Sequence, residues 1–253
     1  NRLSEIATSA YGLSLYGKSA AALALVRAVD IAPAQVAAAS RAVHDDYFVR
    51  RGDIEWRAGE FDAARTSYSR VDGHDPETAA VDAVQVLRMQ ALLALDAGDL
   101  AKAKESASAA QRRAQGQTLH PGDAERLALT HVHVALASDD VAAAQALLDP
   151  VLQLFATMPD ARHVRADRRS AAWLQSVIFA RQGRCAQAHH ALDEANESLA
   201  GPAVSPATRS EAEWASQAVA ARCPSDEADQ GDAVARPSSV RASSIRAWCA
   251  PST

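Results

Sequence analysis

The chain has 253 residues, of which 60 are alanine, and its 31 Asp and Glu against 26 Lys and Arg give a formal net charge of −5 at pH 7. Alanine is the strongest helix former, and the β-branched and aromatic residues typical of strands are scarce, so the composition predicts a nearly all-α fold. No block of basic residues suits nucleic acid, and charged residues interrupt each apolar stretch before it reaches the length of a membrane span.

In chain order, a turn pattern that most often reads Gly-acid-apolar recurs at nearly even intervals. Its turn positions are separated by 42, 39, 41 and 44 residues and are Gly17, Gly59, Gly98, Asp139 and Gly183. A fixed period in this range indicates stacked two-helix units, because no single unit can bury its apolar face alone. The repeated segments are YGKSAAALALVRAVDIAP from Tyr16, AGEFDAARTSYSRVDGHDP from Ala58, AGDLAKAKESASAAQRRA from Ala97, SDDVAAAQALLDPVLQLF from Ser138 and QGRCAQAHHALDEANESLA from Gln182.

Within each unit, one helix ends at the turn and a second helix begins after it. An apolar stripe at helical spacing predicts the first helix of the third unit, and its members are Val84, Leu87, Ala91 and Leu95. A turn glycine can adopt the left-handed conformation that ends a helix. The acid after it is expected to cap the next helix or to complement the positive end of its dipole, at Glu60, Asp99 and Asp140. A small residue five positions after the turn predicts the point where the two helices cross, at Ala64, Ala103, Ala144 and Ala188.

This arrangement resembles the tetratricopeptide repeat (TPR). The resemblance rests on the Gly-acid-apolar turn with its later Ala and, in the second unit, on Gly52, Tyr68 and Pro76. The spacing exceeds the ~34-residue period of that repeat, so each helix is expected to carry about one extra turn. The resemblance implies a right-handed α-α superhelix of about five helical hairpins over residues 1–223, with a terminal capping helix at 205–222. Residues 224–253 lack an apolar period and are predicted to be a flexible tail.

The resemblance also implies that the first helix of each hairpin lines a concave groove. Carrying the inner-facing positions over residue by residue gives the candidate partner-binding residues Tyr11, Asp46, Asp53, Trp56, Arg57, Arg88, Arg126, His133, Trp173 and Arg181. Aromatic and Arg side chains are common anchors of recognition, and acids on one side with Arg on the other suit a peptide with an acidic end. In the alternative, Trp56 and Trp173 fill gaps between helices and the charges form a solvated face. Leu92 replaces the Asn of the family's carboxylate clamp, so chaperone C-terminal tails are not expected as ligands.

The sequence contains no motif typical of metal binding or of catalysis. His131 and His133, like the adjacent His189 and His190, are spaced so that they point to different faces of a helix, and no metal-binding Cys or His motif is present. A phosphate-binding glycine loop, a nucleophile motif and a dinucleotide fingerprint are all missing from the sequence. We therefore expect no catalytic residues, no metal and no cofactor.

Two of the cysteines are placed where a disulfide is sterically feasible. Cys185 begins the second helix of the fifth hairpin, and Cys223 closes the last helix, so stacking puts both at the same end of neighbouring elements. A disulfide would indicate an oxidising compartment such as the periplasm; without it, the localisation stays open between cytoplasm and periplasm. In the alternative, Cys185 is a small apolar residue and Cys223 an unpaired thiol. Cys249 falls in the predicted tail.

The leading functional hypothesis is a non-enzymatic interaction or scaffold module that binds a peptide or partner helix of another protein in the concave groove. Because the sequence begins without an initiator Met or signal peptide, we expect it to be part of a larger bacterial regulatory, signalling or envelope assembly protein. One alternative is a sensor domain that binds a small molecule. The other is a structural element that self-assembles into homo-oligomers.

Overall fold

A computed structural model of the chain describes residues 2–28, 40–119, 122–159, 162–197, 199 and 204–224. Within these ranges the protein forms eleven α-helices and no strand, which confirms the all-α prediction. The helices are α1 (Arg2–Leu15), α2 (Ser19–Ala28), α3 (Arg41–Arg57), α4 (Phe61–Tyr68), α5 (Ala80–Asp96), α6 (Leu100–Ala114), α7 (Asp123–Ala137), α8 (Val141–Thr157), α9 (Arg162–Arg181), α10 (Cys185–Glu197) and α11 (Pro206–Arg222). From residue 225 onwards, the predicted tail lies outside the described residues.

Consecutive helices pack against each other as five pairs: α1 with α2, α3 with α4, α5 with α6, α7 with α8, and α9 with α10. The first helices of successive pairs also contact each other, from α1 through α3, α5 and α7 to α9. α11 follows the last pair and packs on both α9 and α10. Each pair therefore corresponds to one repeat of the sequence, and neighbouring repeats are neighbours in space.

The turn inside each pair has the backbone geometry that the sequence pattern predicts. The five turn residues have φ angles of 75°, 80°, 76°, 57° and 73°, in the order Gly17, Gly59, Gly98, Asp139 and Gly183. At each turn, the N–H of the following residue donates to the carbonyl five residues back, as Asp99 N does to Ala94 O at 2.8 Å. This is the Schellman termination of a helix, which requires a left-handed residue. Asp139 is the one described non-glycine residue with a positive φ.

Two of the three predicted caps form. Asp99 Oδ1 accepts a hydrogen bond from Lys102 N, and Asp140 Oδ1 accepts one from Ala143 N, both at 2.9 Å. Glu60 precedes α4 without capping it, and its carboxylate instead lies 3.5 Å from the Arg27 guanidinium. The difference follows from side-chain length, since the shorter Asp, Asn, Ser and Thr are the residues that reach the first backbone N–H groups of their own helix.

Small residues allow the paired helices to approach closely. Gly52 on α3 faces Tyr68 on α4 so tightly that a Cβ atom at Gly52 would lie 2.6 Å from Tyr68 Cε1. The four predicted crossing-point alanines are fully buried, at 0% exposure each: Ala64, Ala103, Ala144 and Ala188. The predicted stripe of α5 is also buried: Val84, Leu87, Ala91 and Leu95. Close helix packing thus replaces the large aromatic cores that this composition cannot supply.

The largest apolar cluster joins α7, α8, α9, α10 and α11 at the C-terminal end of the described chain. Its centre includes the fully buried Trp173, Leu174 and Ile178 of α9, together with Trp214 of α11. α9 is consequently covered by α7, α8, α10 and α11. None of the described helices combines the length and the apolar character that crossing a bilayer requires.

Candidate functional site

The first helices of the pairs and α11 surround a cavity of about 740 Å³. On α5, the lining residues recur every three or four positions and so form one helical face: Gln85, Arg88, Met89, Leu92 and Asp96. α7 repeats this pattern with Arg126, Leu129, Thr130 and His133. Each repeat thus contributes one stripe of side chains to a shared interior surface.

The structure brings together seven of the ten predicted partner-binding residues. These seven line the cavity, although they come from four different helices: Tyr11, Asp53, Trp56, Arg57, Arg88, Arg126 and His133. Their register on the first helices, as implied by the TPR resemblance, places them on the same interior surface. Leu92 also lines it.

Trp173 does not line the cavity, and its assignment to the partner-binding surface is corrected here. Its side chain is 0% exposed, and its Nε1 donates a hydrogen bond to Asn196 Oδ1 at 3.0 Å. The reason is the position of α9, which packs against α8, α10 and α11. The same register that faces the cavity on α5 therefore faces the core on α9, and Trp173 fills a gap between helices.

Asp46 and Arg181 also lie away from the cavity. Asp46 Oδ1 accepts a hydrogen bond from Arg50 Nε at 2.6 Å, one turn along α3. Arg181 Nη1 donates to Leu136 O at 2.7 Å and to Asp139 Oδ1 at 3.0 Å. Arg181 therefore ties the end of α9 to the turn of the preceding pair, a structural contact that the sequence pattern did not predict.

Arg126 joins two layers of the cavity wall. Its Nη1 lies 2.9 Å from Asp123 Oδ1 on the same helix, and its Nη2 lies 3.2 Å from Asp167 Oδ2 on α9. Burial raises the pKa of Asp167, while the positive charge of Arg126 opposes that shift. Both carboxylates neutralise Arg126, which leaves it little capacity to attract a further anion.

Arg88 has only a neutral partner. Its Nε and Nη2 donate to the same atom, Gln85 Oε1, at 3.2 and 3.0 Å, and no described carboxylate forms an ion pair with it. Gln85 Nε2 in turn donates to Asp53 Oδ1 at 2.8 Å, and the Tyr68 hydroxyl donates to that oxygen at 2.6 Å. Burial lowers the pKa of Arg88 and the nearby charge of Arg126 lowers it further, whereas the negative charge of Asp53 opposes the shift. The Arg88 guanidinium is thus a cation whose direct hydrogen-bond partner is neutral, with the Asp53 carboxylate one side chain further away.

Arg57 and Tyr11 lie together on another part of the wall. The Arg57 guanidinium carbon lies 6.0 Å from the centre of the Tyr11 ring, and the guanidinium carbon of Arg50 lies 5.6 Å from it. Burial raises the pKa of Tyr11, and the negative charge of Asp53 adds to the increase. Arg57, like Arg88, forms no ion pair with a described carboxylate.

Aromatic and aliphatic side chains form the apolar part of the cavity. Trp56 meets Phe61 edge to face, with the ring centres 4.8 Å apart, and Met89 also lines this region. On the side formed by α11, Trp214 lies 5.4 Å from the His133 ring, measured between ring centres. The interior is therefore amphipathic, with apolar surfaces beside charged groups.

α11 closes one side of the cavity. It packs on the last pair and also contacts α3 in the second pair. The contact is close, because a Cβ atom at Gly59 would lie 3.0 Å from Pro206 Cβ. At its other end, α11 is held by the Cys185–Cys223 disulfide, with 2.04 Å between the sulfur atoms. The helix is thus anchored near both of its ends, and its N-terminal half lines the cavity.

Several lining residues were not predicted from the sequence. Gln85 lies three positions before Arg88 and seven before Leu92, so helical spacing from the predicted residue could have found it. Glu211 and Trp214 belong to α11, which has no counterpart in the other units, and no repeat position pointed to them. The described residues contain no group of three or more His, Cys, Asp or Glu side chains arranged to hold a metal ion.

Comparison with known proteins identifies no relative of this chain. No family model matches the sequence, and no curated protein and no solved structure shows significant similarity to the chain. The functional assignment therefore depends on the cavity and on the residues that line it.

Proposed function

We propose that the protein is a non-enzymatic binding module built as a TPR-like, right-handed α-α superhelix, with α11 as its capping helix. The proposal is supported by five helix pairs in sequence order, by the shared geometry of their turns, and by contacts between successive first helices. The sequence supplies binding side chains to the interior and carries no catalytic motif.

The ligand that suits the interior best is a small organic molecule. One observation carries this choice: side chains from five layers and α11 enclose a cavity of about 740 Å³, and small-molecule sites typically measure about 300–1,000 Å³. A helix of ten residues, about 10 Å across and 15 Å long, fills roughly 1,200 Å³. A whole partner helix is therefore too large for the cavity. The cavity volume favours the small-molecule sensor hypothesis over the hypothesis that a partner helix binds.

Ligand binding in this cavity would be communicated through helix packing. A ligand that contacts α3, α5, α7 and α11 together stabilises their mutual arrangement by mass action, because it binds the folded state alone. We propose that the module works in this way as the sensor part of a larger bacterial regulatory or signalling protein. The disulfide suits an oxidising compartment such as the periplasm.

A thermal-shift screen of small organic molecules tests this proposal. We would compare the wild type with Ser210→Trp, which adds a large side chain to a cavity-lining position, and with Gln217→Trp, an exposed control on the same helix. Compounds that bind the cavity should raise the melting temperature of the wild type and the control but not of Ser210→Trp. Shifts that survive unchanged in Ser210→Trp would place the ligands elsewhere and refute the proposal.

A second candidate ligand is the extended end of a partner protein. Leu15 and Tyr16 line the cavity but remain 45% and 65% exposed, so they form an apolar rim at its mouth. An extended chain could place its terminal residues in the cavity and rest its following residues on this rim. Self-assembly is the third hypothesis, and light scattering over a concentration series tests it.

Matched double variants separate the peptide from the small molecule. Leu15→Ala with Tyr16→Ala removes the rim, whereas Leu147→Ala with Leu154→Ala removes two exposed leucines of α8 that lie outside the cavity. If a protein partner uses the rim, affinity capture should lose it with the first pair only. Equal retention by both variants would remove the peptide hypothesis.

A further inference from the structure

Two half-buried cations of the cavity have no carboxylate in direct ion-pair contact with them. Arg57 and Arg88 both line the interior, and neither forms an ion pair with a carboxylate in the described part of the chain. Arg126, by contrast, is paired with both Asp123 and Asp167. Desolvating a charge without a counter-charge is unfavourable, so a chain that retains such residues leaves room for an anion from outside.

The geometry of Arg88 leaves donors available to a ligand. Both of its hydrogen bonds use one amide oxygen, Gln85 Oε1, and its Nη1 has no hydrogen-bond acceptor among the described residues. Gln85 is fixed in this position because its own Nε2 donates to Asp53 Oδ1 at 2.8 Å. The neutral amide therefore separates Arg88 from the carboxylate and orients the guanidinium without neutralising it.

Arg57 and Arg88 act on the same part of the interior. The charges of both lower the pKa of Tyr68 and that of Asp167, in each case against the larger effect of burial. Arg57 lies one helical turn after Asp53 on α3, and Asp53 accepts the hydrogen bond of Gln85, which holds Arg88, so both arginines lie beside Asp53 on the cavity wall. One helical turn beyond Arg88, Leu92 continues the same face of α5 as an apolar surface, next to Met89.

We propose that Arg88, assisted by Arg57, binds the anionic head group of a small organic acid whose apolar body lies against Trp56, Met89 and Leu92. This inference rests on the proposed function, because it names the chemical class of the ligand for the same cavity. The head group is a carboxylate or a phosphate, both of which accept the paired hydrogen bonds that a guanidinium donates.

A set of eight-carbon probes that differ only in the head group tests the inference. Octanoate, octyl phosphate, 1-octanol and octylamine are titrated by calorimetry into the wild type, Arg88→Gln, Arg88→Lys and Arg112→Gln. Arg112 is an exposed arginine of α6 outside the cavity and serves as the matched control. A charge-assisted hydrogen bond corresponds to a preference of at least about tenfold for an anionic probe over the alcohol.

The expected result is that the wild type and Arg112→Gln bind one of the two anions at least about tenfold more tightly than 1-octanol. Arg88→Gln should lose this preference, and Arg88→Lys should retain part of it. The comparison of octanoate with octyl phosphate identifies the head group. If Arg88→Gln fails to fold, Arg57→Gln carries the same comparison.

Three results would overturn the inference. Equal binding of 1-octanol and both anions by the wild type would do so while leaving the cavity as a binding site. A preference for anions that survives in Arg88→Gln would place the anion elsewhere. Absence of binding by all four probes would exclude this class of ligand, whereas the Ser210→Trp screen decides separately whether the cavity binds small molecules at all.

Discussion

Replacing Gly52 with Ala should destabilise the protein, although the same change usually stabilises a helix. The added Cβ atom would lie 2.6, 2.7 and 2.8 Å from three atoms of the Tyr68 ring, closer than real Cβ contacts allow. The ring cannot move aside easily, because Tyr68 is fully buried and its hydroxyl is hydrogen-bonded to Asp53. The helices α3 and α4 would have to separate.

The size of the effect follows from two opposing contributions. Overpacking of a buried contact costs about 3 kcal/mol at the upper end of its usual range, which suits three simultaneous close contacts. Replacing Gly by Ala within a helix contributes about 1 kcal/mol in the favourable direction. The net loss is therefore about 2 kcal/mol, which for a chain of this size lowers the melting temperature by roughly 4–8 °C.

Thermal and urea unfolding of Gly52→Ala and Gly12→Ala measure this effect against a matched control. Gly12 lies within α1, and a Cβ atom there would meet no atom within 4 Å. Gly12→Ala should therefore stabilise the protein by about 0.5–1 kcal/mol. A Gly52→Ala protein that melts at or above the wild-type temperature would refute the reasoning about the α3–α4 contact.

Three further predictions concern the disulfide, one turn and one histidine. The Cys185–Cys223 disulfide joins residues separated by 38 positions. Cys223→Ser or a reducing agent should therefore lower the free energy of unfolding by about 4 kcal/mol. Equal melting temperatures with and without reductant would contradict this. Asp139→Gly should raise the free energy of unfolding by about 0.5 kcal/mol, because the strain of a non-glycine residue with a positive φ costs more than the exposed ion pair with Arg181 contributes. A lower melting temperature would show that the ion pair dominates. Burial lowers the pKa of His131, so the unfolded state takes up its proton first as the pH falls below about 6.5, and stability should decrease there. Melting curves at pH 7.5 and 5.5 should show a smaller decrease for His131→Gln, and an equal decrease in both proteins would exclude this origin.

The fold was largely predictable because each unit repeats the same local rules. A left-handed residue at the turn, small residues at the crossing and an apolar stripe at helical spacing each depend on a few neighbouring positions. These features recur in the structure at Gly98, Ala103 and Leu87, among others. Of the two roles predicted for Glu60, the side-chain cap does not form, because the longer Glu side chain does not reach the first backbone N–H groups of its helix as Asp does.

The candidate site was less predictable because it depends on what covers each helix. Trp173 has the same register as Arg88, ten residues before the turn, yet one is in the core and the other in the cavity. α8, α10 and α11 all pack on α9, and Trp173 is hydrogen-bonded to Asn196 of α10; the packing of α11 on α9 is a long-range contact outside the repeat pattern. For the same reason, Glu211 and Trp214 could not be assigned to the site from a repeat position.

The contact between Pro206 and Gly59 also has a consequence for how the chain folds. In a simple repeat array each unit touches only its neighbours, so folding can start anywhere and spread along the chain. This contact joins positions about 150 residues apart and so raises the contact order. The second pair therefore completes its packing only when α11 has folded against it. Amide hydrogen exchange should then report α3 and α11 opening together as one cooperative unit, rather than fraying separately from the two ends.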